Sequence, residues 1–199
     1  LKPNRSTMVI LIVGEFIFGL GDSLLIAAGV GNTPWTVLAE GIALTAEVWT
    51  IGEATFLVSI AVMFLWIPIK ETPGIGTILN IIIIALTIHV MVPILPQTEN
   101  FLVSILMASS GILLVGIGST MYLTANLGPG PRDGWMTGLQ RATGVPIGRV
   151  RITIEVSVLV IGIVLGGTFG IGTILFAVTI GPVVASCMSI ASRIDSTTR

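Results

Sequence analysis

Apolar and polar positions are sharply segregated along the chain. Six long apolar runs cover residues 8–28, 54–69, 75–95, 101–125, 152–166 and 169–191, and polar residues concentrate between them. A helix that crosses a bilayer needs about 20 mostly apolar residues, so the pattern predicts an all-α polytopic membrane protein of six transmembrane helices. The second and fifth runs are short. Each follows a polar stretch marked by Gly and Pro, which predicts short half-helices after helices one and four that either enter the membrane partway or lie in its interface. The first run follows Lys2 and Arg5 as the core of a signal peptide would, but it is longer than that, and five more spans follow. It is therefore read as helix one. The sequence opens at Leu1, so native residues are expected ahead of it.

Charge sets the topology. Lys2 and Arg5 precede helix one, Lys70 lies between helices two and three, Arg132, Arg141, Arg149 and Arg151 lie between four and five, and Arg193 and Arg199 follow helix six. If six helices alternate, all nine basic residues fall on one side. The other loops hold Glu40, Glu47, Glu53 and Glu99 and no Lys or Arg. The positive-inside rule then predicts cytoplasmic N- and C-termini in a cytoplasmic (inner) membrane. Composition agrees: 53% of residues are hydrophobic, 10% are charged, and mean hydropathy is +1.04. The lipid bilayer is thus the first expected partner. A net charge of −1 supplies no basic field for nucleic acid. One cysteine, Cys187, excludes an intrachain disulfide. His89 has no second His or Cys to join, so neither a metal site nor a cofactor is expected.

The chain also repeats itself. Gly74-Ile75-Gly76-Thr77-Ile78-Leu79 recurs as Gly170-Ile171-Gly172-Thr173-Ile174-Leu175. Gly31-Asn32-Thr33-Pro34 aligns with Gly128-Pro129-Gly130-Pro131, Gly41 with Gly138, and Ile51-Gly52 with Ile147-Gly148. The offset is 97 residues early and 96 later, so a single gap reconciles the copies. The division predicted is 1–97 and 98–199, two three-helix units within one membrane domain. Three spans per unit is odd, so the second copy inserts upside down, an arrangement common in secondary transporters.

The run Leu127-Gly128-Pro129-Gly130-Pro131-Arg132-Asp133-Gly134, followed by Gly138-Leu139, Gly144, Ile147-Gly148, Gly166-Gly167-Thr168 and Gly170-Ile171-Gly172-Thr173, resembles the YczE/YitT-type bacterial membrane proteins, and within them the YczE branch. The first copy carries Pro34-Trp35-Thr36-Val37-Leu38, with Thr36 where that family usually has Asp. The resemblance covers almost the whole chain. It implies a polytopic inner-membrane protein and no defined activity.

Several residues carry candidate chemistry. Pro34 and Pro131 sit where short helices would start, a favoured place for Pro. Such an N-terminus has unpaired N–H groups and partial positive charge. Two of them meeting near the midplane would bind an anion, and Gly31 and Gly128 would let backbone approach it. The expected substrate site lies between the copies, around Gly31, Pro34, Thr36, Gly128, Pro131 and Asp133. The competing reading makes the turns packing elements and Trp35, Trp49 and Trp135 interfacial anchors. Asp133 either takes a proton or caps its helix. Ionisable groups inside a membrane are functional hypotheses by default, which makes Glu15, Asp22 and Glu155 candidates for coupling. Glu15 and Asp22 are about two turns apart on one helix face. Glu155 has an alternative partner in Arg151 one turn earlier. His89 reads as a core histidine deep in helix three. Gly19-Leu20-Gly21-Asp22 imitates an intramembrane aspartyl protease, but no second Asp falls in a predicted span to share a proton.

The reading that follows is a small secondary transporter or channel, not an enzyme. Its substrate would be a small molecule or ion, with anions among the candidates. The alternative is a non-transporting accessory subunit of a membrane complex. A homo-oligomer or a membrane-complex partner is compatible with both.

Overall fold

The computed structural model describes residues 4–197, with side chains described as far as Arg193. Lys2 and Arg199, two of the nine basic residues that set the expected topology, lie outside the described residues. All regular structure among the described residues is helical: α1 (Arg5–Ala28), α2 (Pro34–Ala46), α3 (Ile51–Phe64), α4 (Trp66–Ile69), α5 (Ile75–Met91), α6 (Phe101–Ala125), α7 (Pro131–Thr143), α8 (Ile147–Val164) and α9 (Ile171–Thr197). The single turn α4 continues α3 past Leu65, so that Ile51–Ile69 forms one apolar rod.

Four rods are long and apolar enough to cross a bilayer: Arg5–Ala28, Ile51–Ile69, Phe101–Ala125 and Ile171–Arg193. Two of the six expected spans fall short of that measure. α5 has 17 residues, and α8 carries Arg149, Arg151 and Glu155 within its 18. Large apolar side chains face outward on many of the helices, Val164 at 80% and Val178 at 69% exposure. The chain is a membrane-embedded protein, because lipid is the solvent that accepts such a surface.

Local chemistry explains where the helices begin. Thr50 and Glu53 form a reciprocal capping box that starts α3 at Ile51 rather than residue 54. α8 starts at Ile147, directly after Pro146, not at residue 152. The expected short helices are present as α2 and α7, each of 13 residues and each opening on its proline. Thr33 caps α2 by accepting from the Thr36 amide at 3.3 Å. α7 ends at Gly144, whose φ of 70° suits a residue without Cβ.

Two packed groups result. In the first, α1 and α6 approach closely through small residues, with α5 against α1 and α9 against α6. A Cβ on Gly21 would lie 2.6 Å from the Gly111 carbonyl oxygen, and one on Gly118 would lie 2.6 Å from the Phe18 amide nitrogen. This is the close approach that small residues permit between membrane helices. In the second group Trp35, Val58, Val62, Met136, Val150, Ile154 and Val158 bring α2, α3, α7 and α8 together.

The turns tie distant segments to one another. Gly31 and Gly128 adopt φ of 117° and 123°, conformations that favour glycine. They aim the Val30 carbonyl at the Gly172 amide (2.8 Å) and the Leu127 carbonyl at the Gly76 amide (2.9 Å). Each turn therefore docks on the G-I-G-T segment of the other half of the sequence. Thr77 adds a hydroxyl bond to the Pro129 carbonyl at 2.7 Å.

Candidate functional site

The short helices meet at their N-terminal ends. The Arg132 guanidinium lies 5.2 Å from the centroid of the Trp35 ring, and Trp35 contacts Trp135 edge to face at 6.4 Å. Trp35 is buried at 5% exposure, so it is a packing centre rather than an interfacial anchor. Beside this meeting point lies a cavity of about 340 Å³, lined from both groups of helices.

One part of the wall is strongly polar. Tyr122 on α6 donates its hydroxyl to Asp133 on α7. Arg151 donates to Glu155 at 2.9 Å on α8. Arg132 has Asp22, Asp133 and Glu155 as charged neighbours but hydrogen-bonds to none of them among the described residues. Its planar fork of donors therefore stays available in a place where charge is costly. The start of α7, with its partial positive charge, borders the same space through Gly130 and Arg132. Thr55, Ser59 and Asn80 add neutral polar groups, while Phe18, Val115, Phe176 and Ile180 make the remaining wall apolar. A cation fork at a helix N-terminus inside a largely apolar chamber is suited to hold an oxyanion.

Residues 5–189 match the family of unknown function DUF6198. The chain belongs to that family. It is 44% identical over 188 residues to an uncharacterized protein of Haemophilus influenzae, covering 94% of this chain and 86% of that protein. It is 33% identical over 173 residues to the uncharacterized membrane protein YczE of Bacillus subtilis, covering 84% and 79%. A third relative, the uncharacterized protein YyaS of B. subtilis, is 24% identical over 185 residues, covering 91% and 92%. No solved structure matches. The resemblance to the YczE branch read from the G-P-G-P-R-D-G segment holds across most of the chain.

In this DUF6198 protein the expected site residues disperse around the cavity rather than all lining it. Pro34, Asp133 and Glu155 line it. Thr36 lies behind, fully buried, and donates to Asp22 Oδ2 at 3.1 Å. Pro131 offers its carbonyl to the buried Trp66 Nε1 at 3.0 Å. Gly31 and Gly128 serve the turn docking described above. Glu15 is fully buried, with neither carboxyl oxygen hydrogen-bonded among the described residues, and does not border the cavity. Asp22 is fully buried too, with Oδ1 likewise without a partner. The Glu155–Arg151 alternative is realised as an ion pair. His89 is not in the core: it is exposed near the end of α5, where Nδ1 lies 2.9 Å from the Thr50 hydroxyl.

Sequence reasoning missed Arg132 and Tyr122 as site residues, and read Arg151 as a topology marker. One signal was available. Trp35 and Arg132, which meet in the fold, are related by the 97-residue offset of the recurring sequence.

Proposed function

We propose that this protein is a small secondary transporter or channel that carries a small anionic solute through the Arg132 cavity. In this reading six helices form two inverted three-helix copies, 1–97 and 98–199, in the cytoplasmic membrane with both termini inside. The observation that carries it is the cavity with one strongly polar wall where the two short helices converge. A purely structural subunit would seal that interface.

The paired geometry supports the inverted copies. The two turns share their φ values, the two short helices share their length, and the reciprocal carbonyl–amide bonds have nearly equal lengths. Alternating access in such a fold needs two equivalent seams, one shut while the other is open. Here α3 packs on α5, while α8 and α9 share no comparable contact. Asp133 and Glu155, on the cavity wall, are the acids placed to exchange a proton with a passing solute.

The test is flux of phosphate and acetate into proteoliposomes. Wild type should take up at least one of the two, and Arg132→Gln should lower that flux by tenfold or more, a loss of about 1.4 kcal/mol per decade. Absence of flux, or equal flux through the variant, would remove the reading.

A further inference from the structure

The geometry points to an amphiphile, with an oxyanion head and an apolar tail, as the ligand of this cavity, entering from the bilayer between α8 and α9. The inference rests on the anionic-solute reading above and narrows its substrate class.

Three observations carry it. First, among the helices, α9 packs substantially on α6 alone, and only 6% of its apolar window is buried, against 39–44% for the other three rods. Second, one face of α9 borders the cavity at one-turn spacing through Phe176, Ile180, Val184 and Met188. Phe176 is buried at 9% exposure, whereas Met188, farther along the same stripe, is 42% exposed. The cavity wall therefore runs out to the apolar surface of the protein. Gly181 borders this opening, and a Cβ on it would meet nothing within 4 Å. Third, the charged donor in the lining that hydrogen-bonds no described residue, Arg132, belongs to the wall built by the start of α7 and not to the α9 wall. A ligand reaching both walls needs an apolar body along α9 and a carboxylate or phosphate at Arg132, whose fork matches either group. A small hydrophilic anion would leave the α9 stripe unfilled, and a simple hydrocarbon would leave the Arg132 N–H donors without an acceptor.

The experiment measures ligand binding to the full chain in detergent-free phosphatidylcholine nanodiscs. The probes are decanoate, acetate and decyltrimethylammonium, and the variants are Arg132→Gln and Gly181→Phe. Decanoate should bind and raise the melting temperature, acetate should bind at least tenfold more weakly, the cationic amphiphile should not bind, and Arg132→Gln should abolish the decanoate effect. Gly181→Phe places a ring in open space at the mouth. It should weaken decanoate about tenfold, the equivalent of roughly two buried methylenes. If acetate binds as tightly as decanoate and both need Arg132, the amphiphile is overturned and the small-anion reading stands. If decanoate and decyltrimethylammonium bind alike, or binding ignores Arg132, the signal is unspecific partition and the amphiphile is overturned. If no probe binds, both readings fall. Should Arg132→Gln fail to fold, Gly181→Phe decides, since unchanged decanoate affinity there overturns the lateral route.

Discussion

The α3–α5 seam and the α8–α9 seam are made of corresponding sequence and are packed differently. In the first, Gly52 lies so close to α5 that a Cβ would come within 2.6 Å of the His89 amide nitrogen and 2.7 Å of the Ala85 carbonyl oxygen. The Thr50 hydroxyl and His89 Nδ1, 2.9 Å apart, latch the same end. At the 96-residue offset the four positions become Gly148, Gly181, Pro146 and Ala185. The two glycines meet nothing within 4 Å, and neither Pro146 nor Ala185 has a side chain able to latch. Small residues alone permit a seam to close. What holds the first one closed is the added hydroxyl–imidazole pair and the continuous contact of α3 on α5. The second seam keeps the permission and lacks the latch.

The strongest way to break this comparison is the same substitution in both places. Gly52→Ala puts a methyl group against backbone that has no room to yield, and overpacking of that kind costs about 1–3 kcal/mol. Gly148→Ala meets open space in a helix, where replacing Gly gains up to about 0.5–1 kcal/mol. The two changes should move the melting temperature in nanodiscs in opposite directions. A shared direction would mean that both seams are packed alike and that the asymmetry between them is not real.

A second difference sharpens the first. Each half of the chain links a long helix to the short helix that follows it through one acid and one hydroxyl, but with the roles exchanged. In the first half the acid, Asp22, is on α1 and the hydroxyl, Thr36, is on α2. In the second the hydroxyl, Tyr122, is on α6 and the acid, Asp133, is on α7. Exchange moves the carboxylate from a fully buried position to the cavity wall. Thr36→Val should therefore cost about 1 kcal/mol, since it strips a donor from an acid that water cannot reach. Tyr122→Phe should cost less in stability, because Asp133 borders the cavity. Thermal melts of the two single variants give the ranking, and a larger loss from Tyr122→Phe would show that the cavity wall is dry.

Much of the fold was legible in the sequence, and the reasons differ by residue. Apolar run length located every rod, because length and hydropathy are what a bilayer selects. The starts of α3 and α8 were misplaced by three and five residues, since Thr50, Glu53 and Pro146 act as boundary chemistry that an apolar count skips. The docking of the Gly31 and Gly128 turns on distant G-I-G-T segments was not legible. Periodicity describes one element at a time, and the partner of a carbonyl at the end of α1 is fixed only by tertiary packing. Trp35 misled for the same reason: a Trp beside a polar turn resembles an interfacial anchor until α3, α7 and α8 enclose it. The family likeness was legible because the G-P-G-P-R-D-G segment is long and uninterrupted. The cavity itself was not, because Tyr122, Asp133, Arg151 and Arg132 come from three helices whose relative rotation no local pattern encodes.

The smallest effect compares how the two short helices are moored. α2 is held to the turn ahead of α9 by Glu40, whose carboxylate accepts from the Thr168 amide at 2.6 Å, the Thr168 hydroxyl at 2.8 Å and Asn32 Nδ2 at 2.9 Å. α7 is held to the turn ahead of α5 by the ion pair of Arg141 with Glu71. The arginine side chain is 62% exposed, so solvent screens most of that attraction. Ion pairs of this kind contribute about 0–1 kcal/mol and weaken as salt rises. Arg141→Ala should therefore lower the melting temperature slightly at low ionic strength and negligibly at high salt. A loss that persists undiminished at high salt would mean that the arginine stem packs on Ile69 and Gly138 as a structural strut, and that both short helices are moored by contact rather than by charge.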